Sequence, residues 1–255
     1  LMKGRIRFDA SAGRVRYPLL GTTLDLGRTK GEVLISPQWV VVDKMMGTIW
    51  DGTFTGRILA QIDDGDALNG SFVLQDMNLT SIGKSYDKKM EKATVHGAIE
   101  FSSKGGNMNS IQAKGEAALV HGDLVEIPLF GFLGEALSNY IPGLGHLINY
   151  KISRADCDFS IEKGYVRTSN FAAQGSNMSL EGGGWIRLSD LQVNSDFKLG
   201  LRGLPGFITS PVFLLAGGLF QVRGTGPLSN VSWNFAPFSG GKAPVPPAAA
   251  PARKR

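Results

Sequence analysis

The segment Arg154-Ala-Asp-Cys-Asp-Phe-Ser-Ile-Glu162 alternates strictly between small or apolar side chains and polar ones. Ala155, Cys157, Phe159 and Ile161 take one set of alternate positions, and charged or hydroxyl-bearing residues take the other. Successive side chains of a β-strand point to opposite faces, so this period of two predicts a strand with one dry face and one solvated face. We therefore expect a sheet that is apolar on one side.

The cleanest alternation in the chain covers residues 191–201. At about 3.3 Å per residue, this strand would be on the order of 35 Å long. Its apolar positions include four further residues that we expect on the dry face. They are Val193, Phe197, Leu199 and Leu201.

Glycine is the compositional outlier, with 34 residues, roughly twice the usual share. Most glycines lie between alternating segments, where turns are expected. Turns are predicted at Trp50-Asp-Gly52, Lys163-Gly164 and Ser189-Asp190, and the Asp-Gly pair accepts the positive φ of a tight hairpin. The pattern predicts a mainly β fold. We expect a long antiparallel, groove-forming sheet, or a β-sandwich-like arrangement, with one short amphipathic helix.

The helix is predicted at residues 129–141, Leu-Phe-Gly-Phe-Leu-Gly-Glu-Ala-Leu-Ser-Asn-Tyr-Ile, between Pro128 and Pro142-Gly143. At about 100° per residue the apolar side chains fall on one half of the helical wheel, and the flanking prolines are start and stop signals. We expect the helix to cap or gate one end of the dry face. Its apolar half comprises Leu129, Phe130, Phe132, Leu133, Ala136, Leu137, Tyr140 and Ile141.

Two other interpretations of this helix stay open. It could plug an ordinary β core, or it could lie on a membrane surface. Membrane-surface helices usually carry Lys and Arg on the polar face, whereas Glu135 is the single charged residue of this one. Capping or plugging is therefore favoured over binding to anionic lipid.

The net charge of +5 comes mostly from the C-terminus. Residues 239–255 contain Lys242, Arg253, Lys254 and Arg255 without an acidic residue, and subtracting these four charges from +5 leaves +1. This Pro- and Ala-rich segment is too poor in large apolar residues to fold, so we predict a β region at 1–238 and a disordered tail at 239–255. A basic tail is not a nucleic-acid-binding face, and no nucleic-acid partner is expected.

The single cysteine, Cys157, excludes an internal disulfide, and its position in line with Ala155 and Phe159 predicts a buried, inert thiol. Leu1 is not a natural start and no signal peptide follows it, so we expect the chain to be the C-terminal part of a longer protein. No apolar run reaches the roughly 18 residues that a membrane-spanning helix needs.

No motif predicts an enzyme. His96, His121 and His146 share no metal-ligand spacing with one another or with Cys157. Gly-x-Ser-x-Gly elbows and Walker-type loops are absent from the sequence. The acidic stretch Asp63-Asp-Gly-Asp66 lacks the later glutamate of a calcium loop. We therefore predict a non-enzymatic protein with no metal and no cofactor.

Five glycine-punctuated stretches follow one another in a specific order. They are Leu68-Asn-Gly-Ser-Phe-Val-Leu-Gln-Asp-Met-Asn-Leu79, Val95-His-Gly-Ala-Ile-Glu-Phe101, Ala113-Lys-Gly-Glu-Ala-Ala-Leu-Val-His-Gly-Asp-Leu124 running into Ile127-Pro-Leu-Phe-Gly-Phe-Leu133, residues 155–164, and Phe220-Gln-Val-Arg-Gly-Thr-Gly-Pro-Leu-Ser-Asn-Val-Ser-Trp233. As an ordered set, over roughly 170 residues, they resemble the C-terminal region of the AsmA-like family, which includes the TamB and YhdP groups.

This resemblance implies an envelope protein of a double-membraned bacterium, anchored in the inner membrane by an N-terminal segment and projecting into the periplasm. It implies a long, bent sheet whose apolar groove carries phospholipid acyl chains between the inner and outer membranes, in support of outer-membrane assembly and integrity. The expected partners are phospholipids, together with proteins of either membrane. The residues expected to line the groove are Ala155, Cys157, Phe159, Ile161, Val193, Phe197, Leu199 and Leu201.

The alternative is a protein that transports nothing. A closed β-sandwich or barrel would scaffold outer-membrane assembly, with the tail as a tether. A closed core buries its apolar face against itself, whereas a groove leaves that face open to detergents and fluorescent fatty acids. The two interpretations therefore differ in the accessibility of the dry face.

Overall fold

The computed structural model describes residues 4–10, 13–17, 22–62, 67–85, 93–105, 108–123, 130, 135–136, 139, 151–201 and 219–237. Most of these residues form one antiparallel sheet, which is accompanied by a seven-residue α-helix and a short 3₁₀ helix. The predicted mainly β fold with a long antiparallel sheet is confirmed.

The first eight strands are β1 (Gly4–Ala10), β2 (Gly13–Tyr17), β3 (Thr22–Ile35), β4 (Trp39–Ile49), β5 (Gly52–Gln61), β6 (Leu68–Asn78), β7 (Thr94–Ser103) and β8 (Gln112–Asp123). The next six are β9 (Lys151–Glu162), β10 (Tyr165–Gly175), β11 (Met178–Arg187), β12 (Gln192–Leu201), β13 (Leu219–Pro227) and β14 (Ser232–Pro237). Helix α1 (Leu79–Ser85) connects β6 to β7, and the 3₁₀ helix (Met108–Ser110) lies between β7 and β8.

The strands follow their chain order across the sheet. Strands β1 and β2 pair with β3 in one continuous register, with Ala10 opposite Thr29 and Gly13 opposite Leu26, so together they form a single edge strand. Strand β14 forms the other edge, and the sheet is open because the two edges do not pair. At about 4.8 Å between neighbours, thirteen strands side by side span roughly 58 Å.

Tight hairpins occur where the sequence predicts them. Trp50 and Asp51 have φ of +49° and +60°, and Lys163 and Gly164 have φ of +52° and +77°. Two consecutive positive φ values are typical of a type I′ turn, whose twist matches that of the flanking strands. The first turn uses Trp50 and Asp51 at its centre, and Gly52 begins β5. Glycine is required at position 52 because a Cβ there would lie 2.5 Å from a carbonyl oxygen of β6.

The sequence predicts its one short helix at residues 129–141, so helix α1 is an addition to that prediction. The Asn78 side-chain oxygen accepts a hydrogen bond from the Thr80 backbone N–H at 2.9 Å, which is an N-cap. Leu79 and Ile82, one turn apart, pack against the apolar side of the sheet. A seven-residue helix is too short to show a helical period in the sequence, so only its cap was readable.

The helix predicted at residues 129–141 lies mostly outside the described residues. Glu135, Ala136 and Asn139 are helical, and Phe130 is part of a 3₁₀ turn. Outside the described residues are Leu129, Phe132, Leu133, Leu137, Tyr140, Ile141 and the predicted tail at 239–255.

Candidate functional site

Cross-strand register shows which residues share a face of the sheet, because directly opposite residues of an antiparallel pair project to the same side. Gly182, for example, lies opposite Phe171 on one side and Phe197 on the other, and Phe197 lies opposite Val222. Following such pairs from edge to edge defines one continuous face, which we call the apolar face. In chain order from β1 and then β3 to β14, it includes Ile6, Val33, Val42, Ile58, Phe72, Ile99, Ala113, Phe159, Val166, Ile186, Val193, Val222 and Phe235.

Charge separates this face from the opposite one, which we call the polar face. At the paired positions of the described side chains, every Asp, Glu, Lys and Arg lies on the polar face. Glu100 opposite Lys114, and Asp196 opposite Arg223, are examples. The polar face also holds a few apolar residues, among them Val41 and Val73. The apolar face is thus without charge across the described width of the sheet.

One half of the apolar face is closed. Its largest buried cluster extends from β8 to β14, near the β8–β9 connection on β8 to β11 and along the whole length of β12, and we call it the large cluster. Its members are Ala93, Leu119, Phe130, Ile152, Ala155, Ala173, Met178, Leu180, Val193, Phe197, Leu199, Leu201, Phe220, Val222, Val231 and Trp233. Five of them, including Leu180, Leu199 and Val222, have at most 1% of their surface exposed.

Phe130 shows what covers the large cluster. Its ring centroid lies 5.3 Å from those of Phe171 and Phe197 and 5.8 Å from that of Trp233, and only 1% of the residue is exposed. Since Phe130 belongs to the connection between β8 and β9, part of that connection packs onto the apolar face. Ala136 of the same connection also packs against the cluster.

Helix α1 covers a second buried cluster at the same ends of the strands. This small cluster contains Ile49, Phe54 and Met77, and Ile82 of α1 packs against it. The helix is attached to the β4–β5 turn by polar contacts: the Trp50 indole N–H donates to Ser85 Oγ at 3.0 Å, and the Ser81 hydroxyl donates to the Asp51 carboxylate.

The other half of the apolar face, near the β3–β4 and β9–β10 turns on strands β1 to β11, is open. Ile6, Ile35 and Leu68 expose 54%, 41% and 36% of their surface. We call this half the open band. Its other members are half-buried: Val33, Val40, Val42, Ile58, Ile99, Phe101, Phe159, Ile161, Val166 and Ile186. The band therefore presents a nearly continuous strip of aliphatic and aromatic side chains to solvent.

Aromatic rings lie over glycines on the neighbouring strand along much of the apolar face. A Cβ on Gly56 would come 2.4 Å from the ring of Phe72, and one on Gly70 would come 2.5 Å from the ring of Phe101. The directly opposed pairs are Phe8 with Gly31, Phe54 with Gly47, Phe72 with Gly56, Phe101 with Gly70, Phe159 with Gly115, Phe197 with Gly182 and Trp233 with Gly224. Many of the chain's glycines therefore serve to let rings lie against the sheet, which differs from the expected role in turns.

The eight residues predicted to line a groove all lie on the apolar face, but they divide between its halves. Cys157, Phe159 and Ile161 are half-buried. The other five are in the large cluster, with at most 4% exposure: Ala155, Val193, Phe197, Leu199 and Leu201. These five are covered by other parts of the chain, so they do not line an open surface. The role of the remaining three in binding stays a prediction.

Cys157 lies on the apolar face opposite Ala117. Burial raises the pKa of its thiol, and the nearby Asp158 carboxylate raises the pKa further, while a hydrogen bond with Thr168 acts in the opposite direction. A raised thiol pKa agrees with the predicted inert thiol, although Cys157 is half-buried and not fully buried as predicted.

Most of the open band was missed by sequence reasoning. Ile58 and Ile99 lie in segments whose alternation is interrupted by glycine, and the prediction favoured the two cleanest alternations. The signal was present in the repeated order of glycine and large apolar residues, such as Gly56 before Ile58 and Gly97 before Ile99 and Phe101.

Two kinds of feature are absent from the described parts of the chain. No group of three or more His, Cys, Asp or Glu residues is arranged to hold a metal ion there. Likewise, among the described residues, no helix has the length and apolar character needed to cross a membrane.

Comparisons of the chain with protein-family models, with curated proteins and with solved structures found no match.

Proposed function

We propose that the open band binds the hydrocarbon chains of phospholipids and that the protein carries them between membranes without chemical change. The observation that supports this most directly is the absence of charge on the described apolar face, together with the exposure of Ile6, Ile35 and Leu68. A large exposed apolar surface marks an interaction site.

The chemistry of the face favours a hydrocarbon ligand. Backbone N–H and C=O groups within the sheet are used in strand pairing, so the surface offers side-chain carbon and little else. A ligand with polar groups at this surface would lose their hydration without replacement bonds. An acyl chain has none to lose, and each methylene removed from water contributes about 0.8 kcal/mol.

The dimensions suit more than one chain. The hydrocarbon core of a bilayer is about 30 Å thick, so an acyl chain of one leaflet extends about 15 Å. The open band crosses the ten strands from β1 to β11 and so extends roughly 43 Å, which is nearly three times that length. Chains could therefore lie one after another, or a single chain could move between equivalent positions with similar contacts at each.

The resemblance to the AsmA-like family supports the same proposal and adds a location. In this proposal the protein works in the periplasm, attached to the inner membrane through an N-terminal segment, and assists outer-membrane assembly. In this proposal the chain acts passively and shields acyl chains from water during passage, without a catalytic step.

A second candidate function is favoured by the large cluster. Its residues, among them Phe197 and Leu199, are as buried as those of an ordinary protein core. A protein in which this core is the essential feature would be a scaffold for envelope assembly, and the open band would bind another protein instead of lipid. The two functions differ in whether phospholipid binds in the absence of any protein partner.

The test compares two exposed residues of the same strand, β6. Leu68 is on the apolar face and 36% exposed, whereas Val73 is on the polar face and 42% exposed. Purified wild type, Leu68→Asp and Val73→Asp are mixed with vesicles containing fluorescent phospholipid, and the label transferred to protein is measured after separation. We expect Leu68→Asp to reduce uptake roughly tenfold, because a carboxylate in contact with an acyl chain loses its hydration.

Val73→Asp, the matched control, should leave uptake unchanged. Circular dichroism of all three proteins checks that each is folded. Equal uptake by the two variants, or no uptake by the wild type, would exclude the open band as a lipid site.

A further inference from the structure

The two edges of the sheet, β1 and β14, differ in how well each could pair with an added strand. On the outer side of β1, alternate backbone N–H and C=O groups point away from β3 and have no strand partner among the described residues. Strand β1 contains no proline, and β2 continues the same edge in the same register. Strand β14 is only six residues long and ends at Pro237, which cannot donate to another strand. The β1 edge is therefore the better template for an added strand.

Positive charge exceeds negative charge on the polar face of this edge. Arg5 and Arg7 have 63% and 78% of their side-chain surfaces exposed. Both are directed to the same carboxylate, Glu32, with Arg7 Nε at 3.2 Å and Arg5 Nε at 4.0 Å. Lys44 Nζ also lies 3.6 Å from Glu32. Three cations thus share one carboxylate, so the edge carries a surplus of positive charge.

The acidic residue of β1 itself, Asp9, does not neutralise this surplus. Asp9 forms a two-point ion pair with Arg28, through bonds of 2.9 Å and 2.6 Å. That pair is internally balanced, and Lys30 lies directly opposite Asp9. The exposed guanidinium groups of Arg5 and Arg7 are therefore available to a further acidic group.

The apolar face of the same strand is the most exposed part of the open band. Ile6 is 54% exposed, and Phe8 lies against Gly31 of β3. An added strand would cover Ile6 with its own apolar side chains. Along β1, side chains that favour an apolar neighbour therefore alternate with side chains that favour an acidic one.

We propose that the β1 edge binds an extended peptide segment in which acidic and apolar residues alternate, as an additional strand of the sheet. The acidic side chains would lie beside Arg5 and Arg7, and the apolar ones beside Ile6 and Phe8. Main-chain hydrogen bonds would provide affinity, and the alternation would provide register and specificity. In an antiparallel pairing of two β1 edges centred on Arg7, the two Arg7 side chains would oppose each other, whereas an acidic strand would place a carboxylate there. This inference does not depend on lipid binding.

The experiment uses fluorescently labelled peptides of about eight residues, one alternating Glu with Val and one alternating Lys with Val, titrated against the whole chain at low salt. Fluorescence anisotropy reports binding. We expect the acidic peptide to bind at least roughly tenfold more tightly than the basic peptide, with an affinity that falls as salt is added.

Two variants separate main-chain pairing from charge. Arg5→Glu combined with Arg7→Glu should weaken the binding of the acidic peptide and strengthen the binding of the basic one. Ile6→Pro should abolish both, because proline removes a donor and disrupts an added strand. Arg7→Lys keeps the charge and should retain most of the binding, and thermal unfolding of each variant checks its fold.

The proposal is overturned if the acidic peptide does not bind, or if it binds equally well to Ile6→Pro or to the charge-reversed variant. It is also overturned if sedimentation shows a dimer of the wild type that Ile6→Pro converts to a monomer, since the occupant would then be a second copy of the chain.

Discussion

The rings of Phe72 and Phe101 stack on the apolar face with 6.1 Å between centroids and 1° between planes, and each ring lies over a glycine of the preceding strand. Phe54 continues the row at 6.4 Å from Phe72. The row covers this part of the apolar face with flat aromatic surfaces. The glycines beneath these rings are thus expected to matter for stability.

Gly56→Ala should destabilise the protein by about 1–3 kcal/mol, because the new methyl group would overlap the Phe72 ring and a backbone oxygen of β6. Gly4→Ala is the matched control, since nothing lies within 4 Å of a Cβ at that position. Urea unfolding measures both. Equal stability of the two variants would show that the ring moves aside without cost.

Phe197→Ala should cost more stability than Phe159→Ala, although both residues lie on the apolar face opposite a glycine. Phe197 is 2% exposed in the large cluster, and truncating a buried Phe typically costs about 3–5 kcal/mol. Phe159 is half-buried in the open band, so we expect roughly half that cost. Denaturant unfolding of the two variants gives the comparison, and similar losses would argue against a division into closed and open halves.

Asn78→Ala should weaken helix α1 by about 0.5–2 kcal/mol, because the Thr80 N–H loses its capping acceptor. Asn78→Asp keeps an acceptor at the cap and should restore most of the stability. Hydrogen exchange of the α1 amides measures the effect locally. Unchanged exchange in Asn78→Ala would mean that packing of Ile82 alone holds the helix.

The alkylation of Cys157 should require a higher pH in the folded protein than in the unfolded one. Burial, followed by the effect of Asp158, raises the thiol pKa in the folded state, so less reactive thiolate is present at a given pH. Rates of reaction with iodoacetamide are measured against pH, with the chain in concentrated guanidinium as the reference. A midpoint near 8.5 in both states would contradict the burial of this residue.

The sequence was informative where one strand carries an uninterrupted alternation. Residues 154–162 and 191–201 were predicted as strands with a shared dry face, and the register places both sets on the apolar face. Which half of that face is closed was not predictable from these strands, since it depends on Phe130, in a distant connection that packs across β10, β12 and β14.

Two glycines inside β3 show what a local sequence pattern does not contain. Strand β3 is continuous through Gly27 and Gly31, although glycine usually weakens a strand interior. At Gly31 the ring of Phe8 occupies the space of the missing side chain, and at Gly27 the side chain of Thr48 does so. Such compensation involves a residue on another strand, so a local sequence pattern does not contain it.

Native mass spectrometry of the chain purified in mild conditions tests the central proposal most directly. If the open band carries acyl chains, phospholipid should copurify with the wild type and with Val73→Asp, and it should be absent from Leu68→Asp. A mass without lipid for the folded wild type, unchanged after incubation with phospholipid vesicles, would contradict the proposal and favour the scaffold function.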